Sequence, residues 1–145
     1  MISQQEYQKM VQKSSPKSTT FKNCVKAFVV GGAICVLGQS LYAMYEHFGA
    51  QKDLAGSLVA ITLIFIAIAL TGFGVFDNIV NFAGAGASVP ITGFANAVAA
   101  PAIEFKKEGF ILGVGAKMFI IAGPVIVYGT ISSMIVGAIY YFVQK

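Results

Sequence analysis

The feature that most constrains this chain is a set of three apolar runs, each long enough to cross ~30 Å of hydrocarbon as a helix at 1.5 Å per residue. They fall at about residues 24–45, 54–76 and 118–142. Composition agrees: hydrophobic residues are 57% of the chain and charged residues 11%, well under the ~25% charged content of soluble domains. The mean hydropathy is +0.76. A soluble fold of 145 residues could not hide that much apolar surface. The expected class is an all-α integral membrane protein: a segment over residues 1–22, amphipathic and then linker-like, followed by a single transmembrane domain over 23–145.

Between the second and third runs, Thr71 to Lys117 is too apolar for a soluble loop and too rich in Gly, Pro, Asn and charge for one plain membrane-spanning helix. Irregular backbone at membrane depth must be buried in protein or line a polar cavity, because lipid offers nothing to its N–H and C=O groups. This stretch is therefore the candidate functional element.

Lysine placement sets the orientation. All ten basic residues are Lys, and Lys9, Lys13, Lys17, Lys22 and Lys26 precede or open the first run, which puts the N-terminus in the cytoplasm. The loop over 46–53 then lies outside and Asp77 returns inside. Lys106, Lys107 and Lys117 favour the cytoplasmic side as well, so the element over about 78–104 is expected to enter the membrane and return on the same face. In this reading Asn78 to Ala87 descends, Gly84, Gly86, Ser88 and Pro90 make the turn, and Pro90 to Ala100 climbs until Pro101 ends or bends it. The alternative is a full fourth span, with Lys106 and Lys107 outside.

Smaller signals fill in the rest. Ser3-Gln4-Gln5-Glu6 has capping-box spacing, and Tyr7, Met10 and Val11 share a face, as in an interfacial amphipathic helix. A tail with chance periodicity gives the same pattern. Ala27, Gly31 and Cys35 form one small-residue stripe, and Gly129, Ser133 and Gly137 another, where helices can approach closely. Cys24 and Cys35 are eleven apart on one helix, about 16 Å along its axis, too far to pair; they read as small packing residues. Gln39 and Ser40 suit either helix-to-helix hydrogen bonds or a pore. The only histidine, His47, follows Glu46 without further ligand spacing, so no metal is expected.

The start of the climbing half-helix, near Ser88 to Thr92, would present free N–H groups and a positive dipole end, which favour anions. Asn78, Asn81, Ser88, Thr92 and Asn96 add neutral donors and acceptors that either contact a solute or stitch the hairpin to its neighbours. Glu104 and Lys117 are the ionisable groups nearest the apolar runs, either functional or snorkelling to the interface. Gly72, Gly74 and Gly93 are candidate hinges. No nucleophile–base pair, paired carboxylates or phosphate loop is apparent, so the chain reads as a non-enzyme without cofactor. Lysines confined to membrane flanks argue against nucleic acid.

Two motifs carry a resemblance. Gly31-Gly32-Ala33-Ile34-Cys35-Val36-Leu37-Gly38-Gln39 and Phe82-Ala83-Gly84-Ala85-Gly86-Ala87-Ser88-Val89-Pro90-Ile91-Thr92-Gly93-Phe94-Ala95-Asn96 resemble the SpoVA family of spore membrane proteins, its AC type more than its AE type. Phe105-Lys106-Lys107-Glu108-Gly109 and Lys117-Met118-Phe119 extend the likeness over about residues 22–142. Val80 and Ala97 depart from it, standing where Gly and Ser are frequent. The resemblance implies a tension-responsive channel subunit that moves dipicolinic acid with calcium across the inner membrane of the bacterial spore during sporulation and germination. It also implies assembly with SpoVAD and SpoVAE-type subunits; a non-conducting scaffold of the same complex is the alternative. Three spans alone would scarcely enclose a pore, so an oligomer is expected.

Overall fold

The structure, a computed structural model, describes residues 4–14 and 19–144. Among these there is no strand, and three helices are long and apolar enough to cross a membrane. The short α1 (Gln4–Ser14) leads to α2 (Thr20–His47), α3 (Lys52–Gly72), α4 (Phe76–Ala83), the one-turn α5 (Ala85–Ser88) and α6 (Ile91–Glu104). A 3₁₀ turn (Lys106–Glu108) and a π-helical turn (Phe110–Gly115) then run into α7 (Ala116–Val143). On α1, Tyr7, Met10 and Val11 are exposed, as an interfacial helix requires. Ser3 of the expected capping box, and the linker residues 15–18, lie outside the described residues.

The first span closes through a glycine. Gly49 has φ 88°, and the N–H groups of Gly49 and Ala50 donate back to the carbonyls of Glu46 and Tyr45, capping the open end of α2 with a left-handed residue. The same device ends α3: Gly74 has φ 69°, and Gly74 and Val75 donate to Thr71 and Leu70. For that reason the second span stops at Gly72 rather than near 76. Between these caps α2 and α3 pack against each other. A Cβ on Gly38 would lie 3.6 Å from Leu63 Cδ1, and Tyr45 Oη is 2.7 Å from Thr62 Oγ1. Thr62 gives its own proton to the Leu58 carbonyl, so Tyr45 is the donor of the pair and no hydroxyl there is left unpaired in an apolar setting.

The third span begins earlier than its hydropathy suggests. The continuous helical run is Phe110–Val143, 34 residues, because a π-turn rather than a loop fills residues 110–115. Gly113 permits this turn: a Cβ there would come within 2.8 Å of Glu108 and 2.9 Å of the Phe105 carbonyl. Pro124 stands inside α7 and the helix continues through it, although its missing N–H removes the bond to the Ile120 carbonyl.

α6 is the hub, packed along α3 on one side and α7 on the other. The core cluster is Ala67 of α3, Phe76 of α4 and Ala95 of α6, with Ile64, Leu70 and Val80 around it. Val80 thus contributes packing that a glycine could not. Beyond Ala122 nearly every residue of α7 is exposed, through to residue 144.

Candidate functional site

The central element is two short helices and a reversal. α4 ends at Gly84, whose φ of 55° and ψ of −124° suit glycine alone, so the expected continuous descent from Asn78 to Ala87 is broken there. α5 adds one turn, closed by the Ser88 hydroxyl donating to the Gly84 carbonyl at 3.1 Å. Pro90 occupies the N-cap of α6 with extended ψ of 167°, one place before the first helical turn where it was expected. Pro101 does not end α6. The helix runs on to Glu104, because a proline this close to the C-terminus forfeits only the hydrogen bond to the Ala97 carbonyl.

Close backbone contacts hold the reversal. A Cβ on Gly86 would overlap the Ala27 backbone, and one on Gly31 would lie 3.3 Å from the Gly86 carbonyl. The small-residue stripe of α2 therefore receives α5 through Ala27 and Gly31. Cys35, the third member of the stripe, and Cys24 are exposed free thiols. A Cβ on Gly93 would overlap the Ser88 backbone, so the start of α6 folds tightly onto α5. Counting from Thr20, Ala27 and Gly31 lie about 10 and 16 Å along α2, so the turn packs against the N-terminal half of that helix.

The sequence-selected polar residues occupy three places. Asn81, exposed on α4, helps line a cleft of about 410 Å³ against Thr20, Asn23, Cys24 and Ala27 of α2; Asn78, also exposed, lies one turn earlier in the same helix. Thr92 and Asn96 belong to the packed interior beside α3. Thr71 Oγ1 is 2.8 Å from Asn96 Oδ1 and 2.7 Å from the Ala67 carbonyl. With one hydroxyl proton for two acceptors, turning the Asn96 amide so that Nδ2 faces Thr71 satisfies both. Thr92 is 6% exposed, and its hydroxyl has no hydrogen-bond partner among the described residues. Glu104 is exposed at the far end of α6, and Lys117 rests its ammonium 4.3 Å from the Phe105 ring centroid.

The glycines differ in what they do. Gly74 and Gly84 supply positive φ with open space around them; Gly86 and Gly93 supply close approach; Gly72 has nothing within 4 Å of a Cβ position. Sequence reasoning overlooked the aromatic partners of two lysines, Phe105 for Lys117 and Phe82 for Lys26, whose ammonium lies 4.6 Å from the ring centroid. It also overlooked the cleft face of α2. The signal was available, since Thr20, Asn23, Cys24 and Ala27 recur at the three-and-four spacing of one helical face. Among the described residues no three His, Cys, Asp or Glu side chains gather to hold a metal ion.

This arrangement, with spans around a broken glycine- and proline-bearing centre, meets a family pattern over most of its length. Residues 23–139 match the SpoVAC/SpoVAEB sporulation membrane protein family. The chain belongs to that family. It is also 49% identical over 142 residues to Stage V sporulation protein AC of Bacillus subtilis (strain 168), covering 97% of this chain and 95% of that protein. No solved structure matches it. As a member of the SpoVAC/SpoVAEB family the chain is a sporulation membrane protein, and the match takes in both the Gly31–Gln39 and the Phe82–Asn96 motifs.

Proposed function

We propose that this protein is a subunit of a channel that moves dipicolinic acid, with calcium, across the inner membrane of the spore, and that it conducts without enzymatic chemistry. In this reading residues 1–22 lie on the cytoplasmic face ahead of one transmembrane domain, 23–145. The segment over 78–104 is a re-entrant hairpin rooted on the same face, and SpoVAD and SpoVAE-type subunits complete the assembly.

The observation that carries the proposal is Thr92. A buried hydroxyl without a partner costs about 1–3 kcal/mol, and Thr92 stands in the first turn of α6, where unpaired N–H groups and the helix dipole already favour negative charge. An element kept solely for packing would gain by carrying Val there. Once the spans part, the hydroxyl and helix start now packed away at Thr92 become available to a passing dicarboxylate, and binding of this modest strength lets the solute leave again. Helix length favours the hairpin over a fourth span: α6 has 14 residues, about 21 Å, short of the ~30 Å needed to cross. Opening under membrane tension would tilt the spans around the hairpin, with Gly72 and Gly74 absorbing the change between α3 and α4.

The test is flux. Protein in liposomes, with the other SpoVA subunits added, should release entrapped dipicolinate when tension is applied, and Thr92→Val should reduce that release without loss of folded protein. Intact protein that never conducts, alone or with its partners, would leave a non-conducting scaffold as the role.

A further inference from the structure

We propose that the cleft between the first turns of α2 and the α4–Gly84 turn binds one oxyanion, a phosphate or carboxylate group, at the boundary between hydrocarbon and water. The inference stands apart from the channel reading and needs no conduction.

The cleft encloses about 410 Å³, within the ~300–1,000 Å³ typical of small-molecule sites. Its α2 wall is the face bearing Thr20, Asn23 and Cys24, and its opposite wall carries Asn81 and the backbone at Gly84. Hydroxyl, amide and thiol groups thus converge where the apolar run of α2 begins, at the level where a helix passes from lipid tails to headgroups.

A cation is held at the rim. Phe82 lines the cleft, and the Lys26 ammonium sits 4.6 Å from its ring centroid. A ring face fixes an ammonium without neutralising it; the contact is worth about 0.5–1 kcal/mol at an exposed site. The field is positive for a second reason: α2 has no acid in its first turn and no side-chain cap on its N-terminus, so its free N–H groups add positive potential beside Thr20. A fixed ammonium with a hydroxyl and amides around a concave space is the chemistry that recognises an oxyanion. Lys52, at the start of α3 and far along the chain from the cleft, serves as an internal control.

Two sources could supply the anion, a phospholipid headgroup or a free solute, and Cys24 reports on both because it lines the cleft. The experiment uses full-length protein carrying Cys35→Ala and follows the rate at which a neutral maleimide alkylates Cys24. The first arm compares vesicles of phosphatidylcholine with vesicles that also contain phosphatidylglycerol; the second adds inorganic phosphate or dipicolinate to phosphatidylcholine vesicles. Occupancy at ten times the dissociation constant leaves about one site in ten open, so alkylation should slow by about tenfold. Slowing in the first arm alone assigns a lipid headgroup; slowing in the second assigns a free anion. Lys26→Gln should abolish the protection, Lys26→Arg should retain it, and Lys52→Gln should leave it unchanged. Equal rates in every arm of the Cys35→Ala protein, or protection that survives Lys26→Gln, would overturn the proposal.

Discussion

Two small-residue stripes in this protein meet different fates. On α2, Ala27 and Gly31 receive the backbone of Gly86 so closely that a Cβ on Gly86 would overlap Ala27. On α7, Gly129 and Gly137 have nothing within 4 Å of a Cβ position, and Ser133 between them is exposed. The sequence pattern is the same, small residues four apart, yet among the described residues only the α2 stripe meets another backbone. Such a stripe records that a backbone can come close; it does not say which one does. What decides at α2 is the partner's own glycine, since α5 brings a second residue without a side chain to the meeting point.

That contrast can be broken by substitution, and the effects should fall in a definite order. Gly86→Leu should be the most severe, because its Cβ meets backbone at Ala27 and backbone has nowhere to move. The loss should exceed the usual ~1–3 kcal/mol of an overpacked core, and it should appear as failure to recover monodisperse protein from detergent. Recovery with normal thermal stability would mean that α5 does not rest on α2. Gly84→Ala should cost about 1–3 kcal/mol for backbone conformation alone, because φ is 55° while the space around it is open. A lowered unfolding midpoint in a protein that still folds is the expected result, and an unchanged midpoint would contradict the turn geometry.

Thr92→Val sharpens the comparison from the functional side. Exchanging a buried, unpartnered hydroxyl for a methyl of the same shape should leave stability equal or raise it, by up to about 1 kcal/mol, while dipicolinate flux falls. A marked loss of stability would show that the hydroxyl is satisfied in the folded protein. Gly129→Leu should be the mildest for the fold of the single chain, within about 0.5 kcal/mol, since nothing stands near it. A loss as large as that of Gly86→Leu would place a partner on α7.

How much of this was legible beforehand depends on which interaction wrote the signal. The spans were legible because burial in lipid demands long apolar runs, and their cores agree with α2, α3 and α7. The end of α3 was misplaced because Phe73, Val75 and Phe76 continue the apolar composition past the Gly74 cap; Gly72 and Gly74 signal a stop, and the positive φ of Gly74 shows where it falls. The π-turn at Phe110–Gly115 was hidden for the converse reason: Gly109, Gly113 and Gly115 look like breakers, but Gly113 is there to pack against Phe105 and Glu108. At the candidate site, the turn over Gly84 to Pro90 was readable from turn chemistry. The division of labour between Gly84, which needs its φ, and Gly86, which needs its missing Cβ, was not, because it depends on a neighbour about sixty positions away in the chain. Lys26 on Phe82 and Lys117 on Phe105 were likewise invisible, since cation–π pairs between separate elements leave no local spacing.

The central claim is that the segment over 78–104 returns to the face it left. Single cysteines at Lys107 and at Lys52, each in a protein lacking Cys24 and Cys35, can be labelled with a membrane-impermeant maleimide applied to one side of sealed vesicles. Lys52 opens α3 at the turn between the first two spans and marks the opposite face. The account predicts that positions 107 and 52 label from opposite sides. Labelling of both from the same side would contradict it and make the segment a fourth span.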